Sequence, residues 1–129
     1  MKTEIKVETD TWLNGQKQHE TPYVNGQRHG LATWWHDNGQ KLSEIPYVNG
    51  QMHGLAIWLY PNGQKMYETP YTNGQIHGLC TGWLSDSVLR YVQKWHQDQK
   101  VWEMNLYSKE QISEDAEVEL FFHETPELT

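Results

Sequence analysis

The chain lacks most features that mark secreted, membrane-spanning or metal-binding proteins. It has 129 residues and one cysteine, Cys80, which excludes an internal disulfide and is too few for a cysteine-based metal site. It contains no run of 18 apolar residues, and its amino terminus has no apolar stretch typical of a signal peptide. Only 36% of residues are hydrophobic, yet 7 Trp and 7 Tyr are present, so the apolar surface is concentrated in large rings. We therefore expect a soluble, cytoplasmic protein without a thick aliphatic core.

The chain also has no excess of basic residues. The chain has 17 acidic and 10 basic residues, a net charge of -7, whereas phosphate binding draws on clustered Lys and Arg. Residues 1–102 hold nine acids and nine bases, so the last 27 residues carry the whole imbalance. We predict no direct nucleic-acid ligand. A membrane surface is also disfavoured, because anionic lipid attracts basic patches.

What the chain does have is an internal repeat. Asn-Gly-Gln begins at positions 14, 25, 38, 49, 62 and 73, so the spacing alternates between 11 and 13 and the unit is 24 residues. When residues 14–37, 38–61 and 62–85 are aligned, 13 of the 24 columns are identical. The same register continues in eroded form, with turns predicted at Asp86-Ser87 and Gln97-Asp98. The repeat array is predicted over residues 1–107, followed by an acidic C-terminal segment over residues 108–129.

The repeat predicts an all-β fold, an elongated antiparallel β-meander of repeated hairpins with about nine or ten strands. Asn-Gly between alternating apolar residues is a strong hairpin signal, and we assign a type I′ turn to Asn38-Gly39 and Asn62-Gly63. The longer linkers such as 48–54 are expected to form bulged turns. Proline cannot donate to a strand ladder, so each return strand is expected to end or kink at Pro22, Pro46 or Pro70. Residues 118–123 are a candidate last strand.

Alternation along the strands predicts aromatic side chains on both faces of this sheet. Most rings are expected to stack between neighbouring strands, but a single layer must leave some exposed, and exposed Trp and Tyr anchor protein interfaces. The acidic segment adds charge that steers a basic partner. The residues predicted to contact a partner are Trp34, Trp35, Trp58, Tyr60 and Trp83 in the sheet, and Glu114, Asp115, Glu117, Glu119 and Phe121 in the acidic segment.

No catalytic or metal-binding motif occurs in the sequence. His29, His53 and His77 recur in the same context, but equivalent residues are two strands apart, roughly 9 to 10 Å, which is too far for ligands of one zinc. Each histidine is instead expected to support its own turn through a hydrogen bond to the neighbouring loop. Cys80 stands where other units have alanine, which predicts a packed small side chain. We expect no catalytic residue, no metal, no cofactor and no enzymatic activity.

The segment 44–55, which reads EIPYVNGQMHGL, resembles the MORN-repeat variant family of bacterial proteins. It departs from the eukaryotic MORN pattern, in which Tyr-x-Gly-x-Trp occupies the return strand. The resemblance implies a β-hairpin solenoid without catalysis, and many bacterial members look like antitoxins or immunity proteins of toxin-antitoxin systems. We therefore expect a protein-binding module that inhibits a protein toxin or nuclease. The alternatives are a phage or mobile-element inhibitor of a host defence nuclease, and a MORN-type membrane-associated scaffold.

Overall fold

The described chain forms one antiparallel sheet, which confirms the predicted all-β meander. A computed structural model describes residues 2–106 and the backbone of residues 121–124. Within these residues the strands are β1 (Ile5–Thr11), β2 (Lys17–Val24), β3 (Gln27–Arg28), β4 (Gly30–Trp35), β5 (Lys41–Val48), β6 (Gln51–Met52), β7 (Gly54–Leu59), β8 (Lys65–Thr72), β9 (Gln75–Ile76), β10 (Gly78–Trp83), β11 (Leu89–His96), β12 (Gln99–Asn105) and β13 (Phe121–Glu124). Ten of them follow one another across the sheet in the order β1-β2-β4-β5-β7-β8-β10-β11-β12-β13. The two-residue strands β3, β6 and β9 pair back onto β2, β5 and β8.

Two kinds of turn alternate along the chain, and the sequence-based assignment of their types is wrong. Asn25 and Gly26 both have positive φ, 50° and 81°, and join β2 directly to β3. This is the pattern of a type I′ turn. The connection between β4 and β5 is longer, and of its two Asn-Gly residues only Gly39 has positive φ, 89°. The two-residue turn therefore occurs in the linkers that were expected to be bulged, such as 48–54.

The longer connection is a bulged hairpin. The Gly39 amide donates to the His36 carbonyl at 3.0 Å, and the His36 amide donates to the Gln40 carbonyl at 2.8 Å. The register between β4 and β5 shifts by one residue between Trp34 and Trp35. A three-residue loop with glycine in the left-handed position and an adjacent bulge accounts for both observations.

The eroded turns keep the geometry of the intact ones. Ser87 has φ 73° at the place of the loop glycine, and Gln97 and Asp98 have φ 48° and 68° at the place of Asn-Gly. Trp95 pairs with Gly78 as Tyr47 pairs with Gly30. The predicted extension of the repeat through these turns is confirmed.

The strands do not end at their prolines, contrary to expectation. Pro22 lies inside β2, and its carbonyl accepts a hydrogen bond from the His29 amide at 3.1 Å on the side of β4. In an antiparallel ladder the N–H and C=O of one residue point to the same neighbour. The donor that proline lacks would thus point to His29, where the neighbouring strand is interrupted between β3 and β4. The interruption falls on the partner strand, and the same hydrogen bond recurs from His53 to Pro46 and from His77 to Pro70.

The core lies on one side of this single sheet. Ala32 and Ala56 are fully buried, and Cys80 in the same column is buried as predicted. Ile45 and Tyr47 complete the buried set around the alanines. The partly buried side chains that pack against it are Trp34, Met52, Trp58 and Tyr71. Small residues in a column are thus covered by large side chains from their neighbours, and no second layer takes part among the described residues.

Proline and glycine pack against each other in every repeat, which gives a test of the fold. Gly54 has φ 119°, and a Cβ there would lie 3.0 Å from Pro46 Cγ. We expect Gly54→Ala to lower the free energy of unfolding by about 1 to 3 kcal/mol, because both the backbone angle and the contact are unfavourable for a side chain. Urea unfolding measures the change.

The matched control is Gly26→Asn. Gly26 also has positive φ, but nothing lies within 4 Å of a Cβ placed there, and asparagine tolerates the left-handed region. A loss of stability in Gly26→Asn as large as that in Gly54→Ala would contradict the role assigned to the proline contact.

Candidate functional site

One face of the sheet carries most of the packed rings, and we call it the aromatic face. Cross-strand pairing places His19 beside Trp34, Trp34 beside Ser43 and Ser43 beside Trp58. Paired residues project to the same side of a sheet. The row continues from Trp58 to Tyr67. The aromatic face is therefore the same face that holds the alanine column.

Trp34 and Trp58 are packing residues on the aromatic face. The Trp34 ring lies 4.5 Å from the His19 ring, and the Trp58 ring lies 4.8 Å from the Tyr67 ring, centroid to centroid. Tilted pairs at this separation stabilise a sheet beyond their area of contact. Both tryptophans are half-buried and pack against the core, so they present only part of their surface to a partner.

Trp35 and Trp83 lie on the opposite face, each beneath a lysine. Lys17 Nζ is 5.7 Å from the centre of the Trp35 ring, and Lys65 Nζ is 5.6 Å from that of Trp83. Tyr60 is tied down separately, since its hydroxyl donates to the Trp83 carbonyl at 2.8 Å. The structure thus divides the predicted tryptophans between two faces. All five predicted sheet residues are half-buried.

The aromatic row changes in the third repeat. Gly82 pairs with Tyr67 and Tyr91, at the place that Trp34 and Trp58 take in the earlier repeats. A Cβ on Gly82 would overlap the Tyr91 ring, so that ring covers the glycine. Burial raises the pKa of the Tyr91 hydroxyl. The Tyr91 ring thus occupies the space above Gly82 that a tryptophan ring occupies in the earlier repeats.

Exposed apolar side chains lie on the opposite face, in a row that the sequence analysis did not single out. Val7 pairs with Pro22, Leu31 with Pro46, and Leu55 with Pro70. The exposed fractions are 56% for Val7, 46% for Leu31, 45% for Leu55 and 53% for Leu79. We call the set Val7, Leu31, Leu55 and Leu79 the leucine row. The sequence signal for the leucine row is the leucine that recurs at one position of the repeat, together with the proline that recurs at the position paired with it.

A carboxylate, a histidine and a hydroxyl, the three groups of a hydrolase triad, lie next to one another at one end of the aromatic face. His19 Nε2 is hydrogen-bonded to the Thr21 hydroxyl, and His19 Nδ1 lies 3.5 Å from Asp10 Oδ2. These residues line a groove of about 380 Å³. However, Thr21 is only 2% exposed, so a substrate has no approach to its hydroxyl. The arrangement links β1 to β2 through the Asp10–His19 contact and holds the His19 ring by its hydrogen bond to Thr21.

Arg28 lines the same groove. Its guanidinium lies 5.3 Å from the centre of the Tyr47 ring. A hydrogen bond to Tyr23 is the main cause that raises the pKa of Arg28. Arginine over a tyrosine ring is a stable arrangement, and the guanidinium keeps its positive charge because both tyrosines are neutral.

The recurring histidines support turns, as predicted. The Asn49 amide donates to His29 Nδ1 at 3.2 Å, and the Asn73 amide donates to His53 Nδ1 at 3.1 Å. His77 accepts in the same way from the Gln97 amide at 3.3 Å. Each turn is thus fastened to the equivalent turn of the next repeat. Among the described residues, no three His, Cys, Asp or Glu side chains are grouped to hold a metal ion.

The predicted acidic site lies almost entirely outside the described residues. Glu114, Asp115, Glu117 and Glu119 belong to that part, and Phe121 is described only as the first backbone position of β13. β13 pairs with β12, placing Phe121 opposite Asn105 and Glu124 opposite Trp102. The candidate strand at 118–123 and the acidic segment remain predictions beyond this pairing.

These observations define a class, a single-layer sheet of β-hairpin repeats. Residues 28–49 and 52–73 match the family model of the MORN repeat variant, which confirms the MORN-repeat part of the resemblance for these two segments. The search of curated proteins gave no match. A solved structure described as the GtfA/B complex bound to UDP and GlcNAc aligns with 75% of this chain at 17% identity and a TM-score of 0.41. This chain spans 22% of that chain, and the TM-score is too low to establish a shared fold. The described residues include no helix long and apolar enough to cross a membrane.

A network of polar side chains lies on β11 and β12, on the aromatic face. Glu103 accepts hydrogen bonds from Asn105 Nδ2 at 2.9 Å, Gln93 Nε2 at 2.6 Å and Lys100 Nζ at 3.2 Å. Gln93 in turn accepts from Trp95 Nε1 at 3.0 Å. The bond from Asn105, followed by those from Gln93 and Lys100, lowers the pKa of the Glu103 carboxyl. The ionised carboxylate therefore stabilises the folded state.

The network predicts a pH-dependent effect of Glu103→Gln. Because the folded-state pKa is lowered, the stabilisation is present above the ordinary carboxyl pKa of 4.5 and is lost as the pH falls through the lowered value. We expect the variant to lose about 1 kcal/mol of unfolding free energy at pH 7, and the difference from the unmodified chain to shrink below pH 4.5. Urea unfolding across this pH range measures it.

Glu20→Gln is the control, since within the described part of the chain Glu20 pairs with Lys17 alone and its side chain is 33% exposed. We expect a loss of less than about 0.5 kcal/mol for it. A deficit in Glu103→Gln that is as large at pH 3 as at pH 7 would contradict the charge-based explanation.

Proposed function

We propose that this protein is a non-enzymatic binding protein whose partner is another protein. The observation that carries the proposal is the leucine row, whose members are each about half exposed on the face opposite to the core. On soluble proteins, exposed apolar surface of this kind marks interaction sites. Aromatic rings beneath lysines, such as Trp35 under Lys17, flank the row on the same face.

More specifically, we propose that it acts as an antitoxin or immunity protein that inhibits a toxin or nuclease. The support is the charge distribution, because the -7 of the chain is confined to its last 27 residues. An acidic segment of this kind complements the positively charged surface with which a nuclease holds its substrate. The apolar sheet would supply the affinity and the acidic segment the rate of association.

A catalytic role is less well supported. Of the three groups arranged like a hydrolase triad, the Thr21 hydroxyl is buried. Cys80 is also buried, and its position in the alanine column explains why a small side chain is found there. Burial also raises the pKa of the Cys80 thiol, which keeps it in the unreactive protonated form at neutral pH. Thr21 and Cys80 are thus packed side chains.

The test is affinity capture from the native cell with identification of the bound proteins, followed by variants of the leucine row. We expect the captured partner to be lost, at least about tenfold, from Leu31→Glu and Leu55→Glu, because a charge cannot be buried at an apolar interface without a partner. Both positions are exposed, so unfolding by urea should change little.

Leu13→Glu is the matched control, since Leu13 is fully exposed in a turn outside the row. Its capture of the partner should be unchanged. Replacing Glu114, Asp115, Glu117 and Glu119 by Gln or Asn should slow association and weaken its salt dependence. Capture of the same partner by all the leucine variants would contradict the proposed surface.

A further inference from the structure

The first strand leaves one edge of the sheet open. All seven residues of β1 are exposed, with Ile5 at 70% and Val7 at 56%. Within the described residues β1 pairs with β2 alone, and β13 lies nine strand-to-strand steps away at the other end. An edge strand with outward-facing backbone groups is a template for another strand, and charged side chains such as Lys6 and Glu8 restrict the partner strands that fit it.

Two contacts show which backbone groups of β1 point outwards. The Glu4 carbonyl accepts from the Asn25 amide at 2.8 Å, and the Glu4 amide donates to Asn25 Oδ1 at 2.9 Å, so the groups of Glu4 face inwards. Direction alternates along a strand, so the groups of Ile5, Val7 and Thr9 face outwards. The pairing of Val7 with Pro22 agrees, because the carbonyl of Pro22 points away to His29.

We propose that β1 pairs antiparallel with β1 of a second copy of this chain, with Val7 opposite Val7. This register places Ile5 opposite Thr9 and uses only outward-facing backbone groups. It also places Lys6 of each copy directly opposite Glu8 of the other, which makes two equivalent ion pairs about a twofold axis.

Other registers fit the charges less well. Centring on Lys6 uses the outward-facing groups of Ile5 and Val7 as well, but it sets the two lysines against each other. Centring on Thr9 sets Glu8 against Asp10, and centring on Ile5 reaches beyond the start of β1. In the chosen register Glu4 would meet Asp10 if the pairing were extended, so it is confined to residues 5–9.

The side chains of β1 border a groove that lies next to this edge. A groove of about 550 Å³ lies along β1 and is lined by Glu4, Lys6, Val7, Glu8, Tyr23 and Gly26. Lys6 pairs with Tyr23, so the Lys6 and Glu8 side chains project to the aromatic face. The Lys6 and Glu8 of the second copy would enter beside this groove.

Sedimentation equilibrium of the 129-residue chain over a range of concentrations tests the proposal. We expect a monomer–dimer equilibrium for the unmodified chain. Val7→Pro should abolish the dimer, because it removes an outward donor, while the β1–β2 ladder loses no hydrogen bond. Thermal melting of the variant should stay close to that of the unmodified chain.

Charge variants test the register. Lys6→Glu and Glu8→Lys should each raise the Kd of the dimer roughly tenfold by setting like charges opposite each other, and the double variant should restore it. Lys94→Glu, an exposed position on β11 with the same charge change, should leave the dimer unaffected. A chain that is monomeric at every concentration, or a dimer indifferent to Val7→Pro, overturns the proposal. Failure of the double variant to restore the dimer overturns the register.

Discussion

A single sheet layer must build its core from side chains that stand on that same layer, and the other features of this molecule depend on this constraint. Ala32 and Ala56 can be fully buried only because large neighbours such as Trp34 and Tyr47 lean across them. Among the described residues no opposing element covers the layer, and adjacent repeats are fastened through their turns, where each His Nδ1 accepts an amide of the next repeat. Regular repetition is therefore a structural requirement, since each unit stabilises the next.

The same constraint leaves surface that the chain itself does not cover. Most packed rings lie on the core side, and the opposite side carries Trp35, Trp83 and half-exposed aliphatic residues beside the prolines. The first strand retains an edge with outward-facing hydrogen-bonding groups. A repeat sheet of this kind is thus suited to binding other proteins by its face and to pairing with another strand by its edge, and the two surfaces meet at Val7.

Much of the fold could be predicted from the sequence, because the 24-residue period and the Asn-Gly pairs specify hairpins directly. Even the eroded turn at Gln97-Asp98 was predictable from its register. The turn types were not, because Asn-Gly occurs in both linkers and the length of the connection decides between them. The continuation of β2 through Pro22 was not predictable either, since it depends on a gap in the neighbouring strand. The candidate site was predicted from ring size, whereas exposure depends on neighbours, so Trp58 is half-buried and Leu55 is exposed.

The central claim is that the core lies on the alanine side of one layer, and two adjacent residues of β7 test it most directly. Ala56 is fully buried and Leu55 is 45% exposed on the other side. Urea unfolding should show that Ala56→Leu lowers stability by about 1 to 3 kcal/mol through overpacking. Leu55→Ala should cost less than about 1 kcal/mol, because little apolar contact is lost. A larger loss for Leu55→Ala than for Ala56→Leu would contradict the account, since it would place the core on the opposite face.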